Sequence, residues 1–135
     1  MPKAITMIEG IGPVFKEKLG TVGISSVEAL LEKGGSKKGR VELAAATGIS
    51  EKKILKWVNM ADLFRVNGIA SQFAELLKAT GVDTVKELKM RNPANLHKML
   101  IETNEQKKLT RSVPALSQIE DFINQAKVME PMVTH

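Results

Sequence analysis

Residues 8–30 read IEGIGPVFKEKLGTVGISSVEAL, and residues 66–88 read VNGIASQFAELLKATGVDTVKEL. The two stretches align without a gap at an offset of 58, and eight of their 23 positions are identical, among them Gly10/Gly68, Phe15/Phe73, Glu17/Glu75, Leu19/Leu77, Gly23/Gly81 and Leu30/Leu88. A second pair of blocks, ILKWVNMADL at 54–63 and IEDFINQAKV at 119–128, matches at an offset of 65. It pairs Ile54 with Ile119, Trp57 with Phe122, Val58 with Ile123 and Ala61 with Ala126. Self-similarity at a fixed offset is the mark of a duplicated supersecondary unit. The expectation is therefore one unit in residues 1–63 and a diverged copy in 64–135, with an insertion in the second copy. The two are expected to form one compact body around the long helix Ser50–Phe64.

Each copy reads as four short helices. In the first, Pro13 stands at a helix start, where its missing N–H costs nothing. Gly20 to Gly23 ends that helix with residues suited to a left-handed cap. Ser25 or Ser26 caps the next, which stops at Gly34-Gly35. A third runs from Arg40 to Thr47 and closes at Gly48. Ser50 caps a fourth, in which Ile54, Leu55, Trp57, Val58 and Ala61 recur at helical spacing. The second copy repeats the order with Ser71 to Thr80, a Thr84-x-x-Glu87 capping box, a helix opened by Asn92-Pro93, and a last helix from about Leu116 to Met129. No run of alternating β-branched residues suggests a strand. The fold class is all-α.

Composition narrows the chemistry. The chain has 135 residues, 20 Lys+Arg against 15 Asp+Glu, a formal charge of +5 and no cysteine. A disulfide framework, a thiolate metal site and a cysteine nucleophile are excluded. The two histidines, His97 and His135, cannot assemble a zinc cluster or a Ser-His-Asp arrangement. Catalysis, cofactor and metal all lack support. The chain start has no basic n-region followed by an apolar run, so the expectation is a cytoplasmic protein with no membrane partner.

Met7-Ile8-Glu9-Gly10-Ile11-Gly12-Pro13-Val14-Phe15-Lys16-Glu17-Lys18-Leu19 reads as helix, tight glycine turn, helix. Glycine supplies positive φ or close backbone approach cheaply. A helix N-terminus presents amides that nothing inside the helix satisfies, and the dipole adds positive potential, which makes an anion site. Lys16 and Lys18 follow on the first turns. Thr47-Gly48-Ile49-Ser50-Glu51-Lys52-Lys53 is a second turn of the same kind. The same glycines would also be needed merely to pack two short helices against each other.

GIGPxxxEKL followed by GI(S/D)(S/T)VxxL resembles the helix–hairpin–helix motif of DNA-handling proteins. With Thr47-Gly48-Ile49-Ser50-Glu51-Lys52, each repeat is also similar to the N-terminal domain of archaeal and eukaryotic RecA-type recombinases. Over its whole length the chain looks like a bacterial family of tandem helix–hairpin–helix proteins catalogued as a domain of unknown function. GRVELAAATGIS, WVNMADLFRV, GVDTVKEL, RNPANLH and the closing VTH carry that resemblance. It implies two SAM-like four-helix units and sequence-independent contact with the nucleic-acid backbone. The implied contact residues are Gly10, Ile11, Gly12, Lys16 and Lys18 at the first turn, and Gly48, Ile49, Ser50, Lys52 and Lys53 at the second. The pattern departs at Lys16, where a small residue is usual, and at Ala70, which replaces the second glycine in the second copy. The counterpart of the Gly48 turn is the longer Asn104–Arg111 segment. The second copy is thus expected to bind less or to be structural.

Gly34-Gly35-Ser36-Lys37-Lys38-Gly39-Arg40-Val41 nearly spells a nucleotide P-loop but has Arg40 and Val41 where Lys and Ser/Thr are required, and no strand precedes it. A flexible basic loop is the expectation. Lys37, Lys38 and Arg40, with Lys107, Lys108 and Arg111, form a secondary basic set. Residues 1–63 hold ten bases and seven acids, residues 64–135 ten and eight, so charge permits nucleic-acid binding without requiring it. Trp57 and Phe122 sit at matched positions on apolar faces and are expected in the core. The functional expectation is non-sequence-specific binding of duplex or branched DNA. The alternative is a protein-docking module that uses Met99, Met129 and Met132 as adaptable contact surface.

Overall fold

The computed structural model describes residues 2–135. Among these the chain is all-α, with eight α-helices, one 3-10 turn and an isolated antiparallel bridge between Ala4 and Ser26. None of the described helices is long and apolar enough to cross a membrane. The chain divides into two compact units, Met1–Asp62 together with Met132–His135, and Leu63–Pro131.

The first unit starts with the 3-10 turn Ile5–Met7 and continues through α1 (Pro13–Gly20), α2 (Val27–Gly34), α3 (Lys37–Thr47) and α4 (Glu51–Leu63), whose last residue falls in the second unit. Side-chain caps fix the starts. Ser26 Oγ accepts from the Ala29 amide, Ser36 Oγ from Gly39 and Ser50 Oγ from Lys53. Gly48, at φ +75°, closes α3 in the left-handed region, and its amide donates to the Ala44 carbonyl at 2.9 Å. The core is aliphatic apart from Trp57: Ile5, Ile8, Ile11, Leu19, Ile24, Leu30 and Ile54 are all buried.

One sequence expectation is corrected here. Residues 37–39 are not a loop but the first turn of α3, because Ser36 supplies the cap that the flexible-loop reading overlooked.

The second unit holds α5 (Ser71–Ala79), α6 (Val85–Leu88), α7 (Pro93–Lys107) and α8 (Leu116–Lys127). Thr84 Oγ1 accepts from the Glu87 amide, and Asn92 Oδ1 from Asn95. The Glu87 carboxylate pairs with Arg91 at 3.0 Å. Helix α7 runs into the segment read as an inserted loop and ends at Lys108, which takes the left-handed cap position at φ +50°. Asn104 then staples the chain, with Nδ2 donating to the Thr110 carbonyl and Oδ1 accepting from its amide, both at 3.0 Å. Phe122, Ile119, Ile123 and Ala126 of α8 are buried.

Candidate functional site

The turn at Gly10 is built from its neighbours' side chains. Ile8 and Ile11 point into the core, and the Ile11 amide donates to the Ile8 carbonyl at 3.1 Å. Between them Gly10 adopts φ +97°, and a Cβ added there would stand 3.2 Å from Trp57 Nε1. Conformation favours glycine at this point, and any larger residue would also have to push the Trp57 ring back by a few tenths of an ångström. Gly12 is different. Its φ of −96° and ψ of −166° suit any residue, and an added Cβ would meet nothing within 4 Å. The glycine therefore answers no demand of the fold.

What Gly12 leaves bare is the start of α1. No side chain caps it, and Pro13 brings no N–H. The amides of Gly12, Val14 and Phe15 thus have no partner among the described residues, under open space and at the positive end of the helix. The turn at Gly48 is partly closed, although the amides of Ser50, Glu51 and Lys52 also lack a partner among the described residues. The Gly48 amide goes to Ala44, that of Ile49 to Thr47 Oγ1 at 3.2 Å and that of Lys53 to Ser50 Oγ at 3.2 Å. Ile49, like Ile11, is a core residue. Ser50 serves its own helix.

Two exposed lysines of the first unit, Lys18 and Lys53, meet over Phe15. Lys53 Nζ lies 4.8 Å from the ring centroid and Lys18 Nζ 5.9 Å, while the ring packs at 62° to Trp57 with centroids 5.0 Å apart. One lysine comes from α1 and the other from α4, so the half-buried Phe15 brings the cations after both glycine turns onto one surface. Lys18 belongs to the last turn of the eight-residue α1, not its first. Lys16 stands where the first turn ends, Lys37 and Lys38 open α3, and Lys52 and Lys53 follow Glu51 in α4. A lysine at the positive end of a helix gives up roughly what an acidic residue there would gain, about 0.3–1 kcal/mol. These placements oppose helix stability and favour an anion.

The secondary basic set does not gather with them. Arg40 is buried, only 4% exposed, and its Nη1 donates to the Gly34 and Gly35 carbonyls at 2.9 Å each. Burial lowers its pKa from the ordinary arginine value, and the Glu51 carboxylate works against that shift. Its reading as a surface contact is corrected: the guanidinium holds the α2–α3 corner together. Lys107 and Lys108 lie at the C-terminal end of α7, where a cation complements the dipole, and Arg111 is exposed beyond them.

In the second unit Gly68 has φ +99°, and an added Cβ would stand 2.8 Å from Phe122 Cε1. Ile69 is buried, its amide donates to the Val66 carbonyl at 3.1 Å, and α5 starts uncapped at Ala70. The rings of Phe73 and Phe122 lie 6.4 Å apart. No lysine occupies the first turn of α5. Gln125 instead grips the turn, its Oε1 accepting from the Asn67 amide at 2.8 Å and its Nε2 donating to the Asn67 carbonyl at 3.0 Å. Sequence reading misses this clamp, although Gln125 stands at an offset of 65 from the apolar Met60. That change from apolar to amide is the signal that could have found it.

A family model described as Domain of unknown function (DUF4332) matches residues 9–129, most of the chain. No curated protein and no solved structure matches it.

Proposed function

The chain belongs to the DUF4332 family, a domain of unknown function, and we propose that it binds the nucleic-acid backbone without reading sequence, through the first unit. In this reading the two units are copies of one helix–hairpin–helix element, and only the first has kept the means to hold phosphate. The observation that carries it is the uncapped start of α1 under open space at Gly12, with Lys18 and Lys53 converging on Phe15 beside it. Free amides at a helix N-terminus bind one phosphate oxygen set, and the lysines hold its neighbours along a strand. Duplex or branched DNA is the expected partner.

The test is fluorescence anisotropy with labelled duplex and branched DNA at roughly 50 and 200 mM salt. A protein with several phosphate contacts loses orders of magnitude in affinity over that range. Gly12→Glu places a carboxylate where the anion would sit, in open space and at the end of the dipole that welcomes it. The fold should be kept and binding lost. Reversal of Lys52 and Lys53 to Glu should flatten the salt dependence as well. Unchanged affinity in these folded variants would refute the reading.

The second reading is protein docking by the second unit through adaptable methionines, of which Met90 is 72% and Met99 38% exposed there. A stoichiometric partner recovered in the presence of nuclease would assign that unit this role.

A further inference from the structure

The glycine-rich corner Gly34-Gly35-Ser36-Lys37-Lys38-Gly39-Arg40 takes no part in the phosphate binding proposed for α1, yet each of its glycines is held to glycine by a neighbour. A Cβ at Gly34 would stand 2.7 Å from Val58 Cγ2, and one at Gly39 would collide with the Lys33 carbonyl. Gly35 has φ −63° and ψ −35°, ordinary right-handed backbone. A Cβ there would collide with the carbonyl oxygen of Met132, and would also stand 2.9 Å from the Leu31 carbonyl one turn back.

The segment lying on Gly35 is bound through its backbone. The Thr134 amide donates to the Gly35 carbonyl at 2.8 Å, and Arg40 Nη2 donates to the Thr134 carbonyl. One residue thus has both its N–H and its C=O recognised, as in strand pairing. Val133 is the buried side chain of the segment, whereas Met132, Thr134 and His135 are exposed. Arg40 does not depend on the segment for its position, because the Gly34 and Gly35 carbonyls at the end of α2 hold the guanidinium independently.

We propose that this corner is a receptor for a peptide segment, filled here by the chain's own Met132–Thr134 acting as a releasable strap. One main-chain hydrogen bond, one from the Arg40 guanidinium and one buried side chain hold the strap, and segments with so few buried contacts open locally long before the whole unit does. The receptor outlives the opening, and its recognition of backbone plus one small apolar residue accepts an equivalent segment supplied in trans.

The experiment uses the full-length chain. Hydrogen exchange should show the Thr134 amide exchanging at least a hundredfold faster than the core amides of Leu30 and Val58. Equal rates would make the strap an inseparable part of the core and overturn the proposal. In full-length Val133→Asp the strap is expelled, because a carboxylate cannot enter that buried position. A peptide of the sequence PMVTH should then bind saturably, shifting the amide signals of Gly34 to Arg40, and should not bind once Gly35→Ala is added. A folded Val133→Asp chain that ignores the peptide, or one that binds it equally with Gly35→Ala, overturns the proposal. So does loss of the α1–α4 helices in Val133→Asp.

Discussion

Gly10 and Gly68 open two turns that are nearly the same object. Each is a left-handed glycine over an aromatic ring, each is followed by a buried isoleucine whose amide reaches back three residues, and each leads into an uncapped helix. The surroundings then part. After the first turn Lys18 and Lys53 meet over Phe15, whereas the second turn is held by Gln125, which ties up the backbone of Asn67. The comparison separates what the turn needs in order to fold from what it needs in order to bind. Glycine over an aromatic is the folding requirement and is kept in both. Unpaired cations and an ungripped backbone are present in one.

The largest effect should come from the aromatic under each turn. Trp57→Ala and Phe122→Ala each remove a buried ring and should cost about 3–5 kcal/mol, read as loss of exchange protection in the affected unit. If only one did so, the two turns would not share a foundation. Next come the glycines themselves. Gly68→Ala meets both a positive φ and Phe122 at 2.8 Å, so denaturant titration should find a loss of about 2–3 kcal/mol. Gly10→Ala, with more room before Trp57 Nε1 at 3.2 Å, should lose about 1–2 kcal/mol. Gly12→Ala should stay within about 0.5 kcal/mol of the parent, since neither backbone nor space is at issue. Gln125→Met, which makes the second turn resemble the first, should cost about 0.5–1 kcal/mol, since the two lost hydrogen bonds to the exposed Asn67 are replaced by water. The smallest effect belongs to Lys53→Ala. An exposed cation–π contact worth about 0.5 kcal/mol is lost, and relief at the helix N-terminus offsets it. A melting curve that barely moves, alongside weakened DNA binding, would sharpen the contrast most.

Local signals make the helices and the aromatic pair legible. Ser26, Ser50, Thr84 and Asn92 are caps whose effect stays within one turn, and Trp57 and Phe122 declare themselves by helical spacing. Helix α3 reads three residues short because its opening Lys37-Lys38-Gly39 looks like a loop when Ser36 is not credited as a cap. The run of glycines around it misleads for a deeper reason. Glycines that admit Val58, the Lys33 carbonyl and the Met132 carbonyl are spelled the same way as glycines that confer flexibility. Arg40 is of that kind too, since its partner Thr134 lies 94 residues away, beyond any window of sequence. At the candidate site, the lysines are legible as residues. Their convergence on Phe15 is not, because it depends on how α1 and α4 pack.

Trp57 is the chain's single tryptophan, and no tyrosine accompanies it. Its ring lies in the first unit, edge-on to Phe15 and against Gly10. Intrinsic emission excited at its red edge therefore reports on one turn and one half of the molecule, while far-ultraviolet dichroism sees every helix. Followed together through a denaturant titration, the two signals reveal whether the halves melt as one body or in succession. No dye or label is needed: the protein carries an optical probe at the turn where DNA is expected to bind.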